Sequence, residues 1–410
     1  MAQSISQEAI GATGLPGATA ASRHAGATTS GAPTTGTFAV GDYVVDQTGA
    51  MYVCTVAGTP GTWQVVGTPP TAQIAGKNAI INGDFGVWQR GTSFSIGAGL
   101  TGYTADRWFI VNAPPGQTAS VTQGTFTPGT APVAGYESTN YLNVTWSSYT
   151  ANTFFLSQRV EDVRKFAGQT VTLSFWAKAS TANSSMTPLI SQNFGSGGSA
   201  ATYSYNSAIS ITTSWQRFST TLTLPSISGA TIGTNSFLDV RPFYGSSSTT
   251  NGVTFSIWGV QLEAGNLAGA TPTTGYPTEF TTASGSIGGE LALCQRYYYK
   301  VYSQSVASIN EKVAIGLATS TTAALYQIPL PITMRVAPYG TVNSLGASSF
   351  AVINSSNSNA VAATSLAYEV TTPNNVSLSI GLGSSWLTAG NASLLIGNTA
   401  GWYLGFSAEL

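Results

Sequence analysis

Alternating apolar and polar residues recur in short segments through most of this 410-residue chain. In the segment Tyr141–Trp146, the apolar Leu142, Val144 and Trp146 fall on one face, and Val171–Phe175 alternates in the same way. Successive side chains of a strand point to opposite faces, so a period of two with one polar face predicts antiparallel sheets packed face to face. The sequence therefore predicts an all-β fold.

Between residues 78 and 270, roughly eight to ten such segments follow one another, which predicts a jelly-roll β-sandwich. Composition agrees, because charged residues make up only 7% of the chain and Gly, Ser and Thr are abundant. We predict that Asn78–Trp108 supplies the first strand and first loop of this sandwich. Arg159–Phe166 is the one helix-like turn predicted here, and Gly168 would end it.

Residues 1–36 consist largely of Ala, Gly, Thr and Ser, with almost nothing to bury, so we predict a flexible arm. Residues 37–70 follow as a small three-stranded β unit. Tyr43–Cys54 reads as a hairpin, and the turn Gly58–Gly61 leads into a third strand. Three short strands are marginal alone, so the unit is expected to lean on a neighbour or on copies of itself.

Residues 290–410 form another strand-rich region, which we predict to be a C-terminal β-sandwich tip domain. Glu290–Lys300 begins with good helix formers and predicts a short helix that runs into a strand. The chain beyond Lys300 has very few charged residues, namely Glu311, Lys312, Arg335, Glu369 and Glu409. A domain with so few charges is expected to hide much of its surface in an oligomer or to contact neutral ligands.

Several classes of function are disfavoured by the charge balance. The formal net charge of −1 gives no basic field, so a nucleic-acid partner is not expected. No apolar run reaches the roughly 18 residues that a membrane helix needs, so membrane insertion is not expected. Cys54 and Cys294 lie far apart in the sequence, so we expect neither a disulfide nor a metal site, and no cofactor.

Catalytic chemistry is also poorly supported. The candidate acids are Asp84, Asp106, Glu137, Glu161, Asp162, Asp239 and Glu263. The adjacent Glu161 and Asp162 would point to opposite faces of a strand, which argues against a hydrolytic pair. The chain has one histidine, His24, and it lies in the predicted arm. We therefore expect no enzyme, and we expect Arg90, Arg107, Arg159 and Arg241 to pair with acids and fix loops.

The predicted sandwich carries a set of motifs at its opening, middle and close. They are Asn78–Phe85, Trp88–Gly91, Tyr103–Trp108, Gln158–Val163, Gly168–Lys178 and Ser256–Gly265. These motifs resemble the jelly-roll, carbohydrate-binding-module-like domains of bacteriophage tail fibres. Gly289–Tyr298 and Phe406–Leu410 resemble the distal tip domain that follows this module in such fibres. Gly86 departs from the pattern, since modules of this type often carry glutamate there, which speaks against a calcium site using that carboxylate.

The resemblance implies a structural protein of the virion tail that forms a homotrimer and attaches to a bacterial surface glycan without catalysis. Residues 1–36 would then join the fibre to other tail proteins. Two alternatives stay open: a structural fibre of the head or baseplate without receptor binding, and a glycan depolymerase.

Aromatic residues are the candidate glycan contacts, because their faces stack on the C–H surfaces of sugars. Trp176 falls on the strand face opposite Phe175, so it should point outward or against a partner. The predicted ligand-binding residues are Trp176, Trp258, Tyr299, Tyr302, Tyr326, Tyr339 and Trp386. Core or interface packing is the competing interpretation for each tryptophan.

Overall fold

The structure is a computed structural model that falls into two compact units, Met1–Gln73 and Ile74–Leu410. The residues it describes are 24–47, 49–67, 76–97, 101–112, 118–132, 138–147, 153–245, 251–265, 279–303, 310–340, 342, 344–354 and 359–410. Residues 1–23 of the predicted arm and 68–70 of the predicted small unit lie outside the described residues.

The first unit contains a single four-stranded sheet within its described residues. Its strands are β1 (His24–Thr28), β2 (Tyr43–Asp46), β3 (Met51–Val56) and β4 (Thr62–Gly67). They lie side by side in chain order, with β1 parallel to β2 and the other neighbours antiparallel. The predicted hairpin and third strand are confirmed. Strand β1 falls in the predicted arm, where a strand was not predicted, because its small residues carry no apolar alternation and its pairing uses backbone groups.

The second unit begins with the predicted sandwich. Its strands are β5 (Ser93–Ile96), β6 (Thr101–Tyr103), β7 (Trp108–Asn112), β8 (Thr118–Thr125), β9 (Asn140–Ser147), β10 (Phe154–Glu161), β11 (Thr170–Ala179), β12 (Ser184–Met186), β13 (Leu189–Asn193), β14 (Thr202–Tyr205), β15 (Ile209–Ile211), β16 (Gln216–Thr223), β17 (Phe237–Gly245) and β18 (Thr254–Ala264).

Two six-stranded antiparallel sheets form this sandwich. Sheet I has the order β14-β13-β17-β10-β7-β6, and sheet II has the order β16-β11-β18-β9-β8-β5. Strand β12 pairs separately with β15. One hydrophobic core joins the two sheets, with Trp108, Phe175 and Phe243 among its fully buried members. The all-β prediction is thus confirmed.

The helix-like turn predicted at Arg159–Phe166 is wrong. Arg159 belongs to strand β10, and turns follow it up to Gly168. Asp162 and Phe166 have φ angles of 68° and 61°, values that a right-handed helix does not contain. The segment begins inside β10, a central strand of sheet I, and its pairing with β17 overrides the helical spacing.

The C-terminal part begins with helix α1 (Ile287–Gln295), which Ser286 caps by accepting a hydrogen bond from the Gly289 N–H. The helix runs into strand β19 (Tyr298–Tyr302), as predicted. The remaining strands are β20 (Lys312–Ala318), β21 (Ala323–Pro329), β22 (Phe350–Asn354), β23 (Ala360–Thr372), β24 (Asn375–Leu382), β25 (Ala392–Gly397) and β26 (Tyr403–Ser407), with a short 3-10 helix at Ala347–Ser349.

Six of these strands close into a barrel in the order β20-β21-β24-β23-β22-β25, and β26 pairs with β19. The sequence predicts a sandwich here, and the structure places the strands in a closed ring. The difference arises from the long-range pairing of β20 with β25, because strand alternation alone does not determine which strands become neighbours.

The segment Asn78–Phe85 is a buried loop and contains no strand, and the first strand in the stretch Asn78–Trp108 is β5 (Ser93–Ile96). The amide of Asn78 takes over the role of a backbone ladder. Its Nδ2 donates to the carbonyls of Val260 (3.0 Å) and Thr281 (2.9 Å), and its Oδ1 accepts from the N–H groups of Ile80 (2.9 Å) and Leu262 (3.1 Å).

A second buried amide continues this pattern. Gln158 Oε1 accepts from the Ile81 N–H (2.8 Å), and Gln158 Nε2 donates to the Ile81 carbonyl (2.6 Å). The backbone of Asn82 has a φ of 56°. Its side-chain Nδ2 donates to the Val87 carbonyl, and its Oδ1 accepts from the Val87 N–H, both at 2.9 Å. Buried backbone groups need partners, and here amide side chains supply them where strand pairing would otherwise do so.

A network that we call the C-terminal clasp joins the sandwich to the barrel. Its centre is Glu409, whose buried carboxylate pairs with the buried Arg107 and with Arg90 (3.1 Å). The Leu410 carbonyl accepts from the Tyr103 hydroxyl (3.0 Å) and from Arg159. These sandwich residues hold the segment that follows strand β26.

The barrel side of the clasp is held as well. Arg335 Nε donates to the Ala408 carbonyl (2.8 Å), and its Nη2 donates to the Glu409 carbonyl (2.7 Å). The Tyr339 hydroxyl donates to the same Glu409 carbonyl (2.7 Å). Gln89 in the sandwich adds a bond from its Nε2 to the Tyr298 carbonyl (2.7 Å).

Replacement of Glu409 by Gln should destabilise the protein by roughly 3–5 kcal/mol, because it leaves Arg107 as an uncompensated buried charge. The free energy of unfolding from urea titration measures this. The control is Arg164→Ala, which removes the exposed pair with Asp162 and should cost less than about 1 kcal/mol. Equal losses of unfolding free energy in the two variants would contradict the stabilising role of the clasp.

Stability should fall as the pH rises from about 10 to about 12. Burial, reinforced by the nearby Glu409, raises the pKa of Tyr103 from 10.0 to about 12, and burial raises the pKa of Tyr298 to about 12. The folded state therefore holds protons that the unfolded chain has lost in this interval, and stability declines with pH. Unfolding free energies across this range should show a shallower slope for Tyr103→Phe than for the wild type. An unchanged slope would refute this assignment.

Candidate functional site

An open cleft of about 540 Å³ lies on the outer face of sheet I. Its lining residues are Thr153, Thr187, Leu189, Tyr203, Tyr205, Asn206, Arg241 and Tyr244. They come from strands β13, β14 and β17, from the segments that adjoin these strands and, for Thr153, from the residue before β10. We call this surface the tyrosine cleft.

Strand β14 carries two tyrosines on its outer face. Ser204 between them is buried and donates to the Thr223 carbonyl of sheet II (2.8 Å), which fixes the inner face of the strand. Tyr203 and Tyr205 must then point outward, and they are 55% and 64% exposed. Large aromatic rings left this open on neighbouring positions are typical of a binding surface.

The strand register leads from these tyrosines to an ion pair. Tyr205 lies opposite Leu189, which lies opposite Arg241, and the adjacent row runs from Tyr203 through Ser191 to Asp239. Cross-strand neighbours of this kind stand on one face of a sheet. The cleft therefore combines two exposed rings with a charged pair.

Arg241 is held rigidly beside the rings. Its Nε and Nη2 donate to Asp239 Oδ2 at 2.9 and 2.7 Å, and its guanidinium lies 3.7 Å from the ring centroid of Phe155. A guanidinium offers five N–H donors in a fixed fork, so this arrangement can present pre-oriented donors to a ligand. Because Asp239 balances its charge, the cleft suits a neutral, hydroxyl-rich molecule.

The structure scatters the seven residues that the sequence predicts as ligand contacts. Tyr302 and Tyr339 are exposed, whereas Trp176, Tyr299 and Trp386 are half-buried. They occupy sheet II, strand β19 and the barrel region, so they do not form one site. In addition, the Tyr339 hydroxyl is already engaged by the clasp.

For two of the seven residues, burial shows that the predicted role in ligand binding is wrong. Trp258 is fully buried, with its Nε1 donating to Ser138 Oγ (2.5 Å) and its ring centroid 5.0 Å from that of Phe280. Tyr326 is fully buried in the barrel core, where its hydroxyl bonds Ser393 (2.8 Å). Neither ring offers a face to a ligand, so packing is the correct interpretation for both.

Sequence reasoning missed the tyrosine cleft. The available signal was the alternation Thr202-Tyr203-Ser204-Tyr205, which puts aromatics where most strands of the sandwich have hydroxyl residues on the polar face. The role of Arg241 needed the fold, since only the register of β13 between β14 and β17 brings it to the tyrosines.

The expected pairing of arginines with acids is confirmed for Arg90, Arg107 and Arg241. Arg159 differs, because its guanidinium donates to the backbone carbonyl of Leu410. Glu161 pairs with Arg296 at 3.2 Å.

Metal ligands and thiols offer no alternative site in the part of the chain that the structure describes. These residues contain no group of three or more His, Cys, Asp or Glu side chains that could hold a metal ion. Cys54 and Cys294 are both buried and free of disulfides. None of the described helices is long and apolar enough to span a membrane.

Comparison with solved structures finds similar chains of several kinds. The enzymatically active domain of tailspike protein 4 from bacteriophage CBA120 is 16% identical over 46% of this chain and 21% of that domain, with a TM-score of 0.26. This chain thus spans about a fifth of that domain. The CBM22-1 xylan-binding domain of Paenibacillus barcinonensis Xyn10C is 12% identical over 46% of this chain and 96% of that one, with a TM-score of 0.28.

The family 11 carbohydrate-binding module of cellulase Lic26A-Cel5E from Clostridium thermocellum is 13% identical over 45% of this chain and 94% of that one, with a TM-score of 0.27. No protein-family model matches the sequence, and no curated protein matches it either.

Proposed function

We propose that this protein is a fibre-like structural protein of a phage tail that attaches to a glycan on the host surface without catalysis, through the tyrosine cleft. The observation that carries this proposal is the pair of exposed rings, Tyr203 and Tyr205, beside the immobilised Arg241. Rings of this kind stack on sugar C–H surfaces, while Arg241 and Asn206 can bond sugar hydroxyls.

The virion role rests on the motif resemblance of Asn78–Trp108 and Gly168–Lys178 to phage fibre domains. Attachment to other tail proteins is assigned to residues 1–36. The part of this arm with described structure includes strand β1, an edge strand of the first sheet, and an edge strand can pair with another chain.

We further propose that the protein assembles as a homotrimer through the outside of the barrel. Ile315 is 76% exposed and Leu317 is 52% exposed on strand β20. Ile315 lies opposite Leu394 of β25, and Leu317 lies opposite Leu325 of β21. This apolar row on a closed barrel has no strand edge to offer, so a second copy would cover it by side-chain packing.

Depolymerase activity is the rival from another class. Burial raises the pKa of Asp106, which is the direction a general acid needs. However, Asp106 is fully buried, and its two oxygens accept from the backbone and side chain of Gln89 at 2.6 Å. It therefore has no access to a substrate bond in this state, which favours binding over hydrolysis.

Multiple copies of a weak site would multiply the affinity of the particle for its host through avidity. The tyrosine cleft is open to solvent, which suits a moderate intrinsic affinity for each copy. A structural fibre of the head or baseplate would retain the same modules without a ligand, so glycan binding by the purified protein separates the two roles.

Replacement of Tyr205 by Ala, or of Tyr203 by Ala, should weaken glycan binding about tenfold, which is ~1.4 kcal/mol, because a stacking face is lost. Titration calorimetry with oligosaccharides released from host surface polysaccharide measures this. Tyr302→Ala is the matched control, since Tyr302 is similarly exposed but lies outside the cleft. Loss of binding in the control alone would contradict the proposal that the tyrosine cleft binds the glycan. Release of new reducing ends from the polysaccharide would favour the depolymerase alternative.

Replacement of both Ile315 and Leu317 by Asp should convert a trimer into monomers, because charges would be buried in the proposed interface. Light scattering measures the mass in solution. Val370→Asp is the control, since Val370 is 63% exposed on β23, outside the apolar row. A wild-type protein that is monomeric, or a double variant that stays trimeric, would exclude this interface.

A further inference from the structure

A second surface with aromatic rings lies on the outer face of sheet II. Phe126, Tyr141 and Trp215 pack against one another, with ring centroids separated by 4.7 to 5.4 Å. Phe126 is buried beneath, whereas Tyr141 and Trp215 are half-exposed. No residue of the tyrosine cleft takes part, because the cleft lies on the other sheet.

Lys178 of strand β11 belongs to this surface. Its ammonium lies 5.2 Å from the ring centroid of Trp215 and 5.7 Å from that of Tyr141. Two aromatic faces attract a cation by their quadrupoles and hold it in place. The ammonium thus lies over the rings of Trp215 and Tyr141, both of which are partly exposed.

The charge of Lys178 has no counter-charge among the described residues. No carboxylate of those residues forms an ion pair with it, whereas Lys77, Arg90, Arg107 and Arg241 each have an acidic partner. A half-buried ammonium is favoured by an anion, since water solvates it only in part. Within the part of the chain that the structure describes, this surface therefore carries an ammonium without a carboxylate partner.

Hydrogen-bonding groups adjoin the ammonium in register. Lys178 lies opposite Ser256, Ser256 lies opposite Asn143, and Asn143 lies opposite Thr122. The Ser256 hydroxyl bonds Asn143 Oδ1 at 2.6 Å. A row of amide and hydroxyl groups beside aromatic rings can bond the hydroxyls of a sugar.

We propose that this surface, formed by Lys178, Tyr141, Trp215 and Asn143, is a second saccharide site that selects a sugar residue carrying a negative charge. The ring of the sugar stacks on Trp215 or Tyr141, its carboxylate pairs with Lys178, and its hydroxyls reach Asn143. The two faces of the sandwich thus differ in selectivity, because Arg241 in the tyrosine cleft is already neutralised by Asp239. This site is independent of whether the tyrosine cleft binds a glycan.

The test uses the full chain and matched probes. A panel of short hexuronate and sialic-acid oligosaccharides is titrated, each against its methyl ester, which keeps the ring and removes the charge. The wild type should bind at least one acid about tenfold more tightly than its ester. Lys178→Met should abolish that preference, and Lys178→Arg should retain most of it, because the positive charge remains.

Two further measurements separate this site from the cleft and from unfolding. Tyr205→Ala should leave the acid preference unchanged, so failure of the proposed cleft would not affect the result. In the wild type, added salt should weaken binding of the acid and leave binding of the ester unchanged. A Lys178→Met protein that folds and keeps the preference, or a wild type with no preference across the panel, would overturn the proposal.

Discussion

The buried ion pair between Arg107 and Glu409 is the interaction on which the second unit depends. It joins two residues from opposite ends of that unit, and both are shielded from water. Removing either partner would leave an uncompensated charge, which is far more costly than breaking a surface pair. Arg90 donates to the same Glu409 carboxylate, and Arg159 and Arg335 donate to backbone carbonyls beside it. The barrel is thus bound to the sandwich by several charge-assisted hydrogen bonds.

This network changes the meaning of the stretch Asn78–Trp108. Its aromatics, its Asp106–Arg107 pair and its turn have the composition of a ligand site. In the fold, the side chains of Asn78 and Asn82 form hydrogen bonds with buried backbone groups, and Arg107 forms an ion pair with Glu409. The stretch is therefore a socket for the barrel, and its residues take no part in the tyrosine cleft.

The cleft and the Lys178 surface use the two outer faces that a sandwich leaves open. Each combines aromatic rings with a cation, but the cations differ in their partners. Asp239 neutralises Arg241, whereas Lys178 lies against rings without an acid among the described residues. A sandwich built in this way could bind a neutral and an acidic part of one surface polysaccharide.

Local patterns in the sequence predicted individual strands and helix α1, because their formation depends on neighbouring residues. Alternation at Tyr141–Trp146 predicted a strand, and the helix formers from Glu290 predicted helix α1. Closure of the barrel and the bonding of the buried loop Asn78–Phe85 by the amides of Asn78 and Gln158 depend on contacts between residues far apart in the chain. The same holds for the site, because Trp258 and Tyr205 differ in exposure only through their positions in the sheets.

A crystal structure of the protein with an oligosaccharide of its host surface polysaccharide would test the central claim most directly. The account predicts sugar rings stacked on Tyr203 and Tyr205, with Arg241 bonded to their hydroxyls and the Arg107–Glu409 pair intact. A glycan bound instead in the socket formed by Asn78–Trp108, with Glu409 displaced from Arg107, would contradict it.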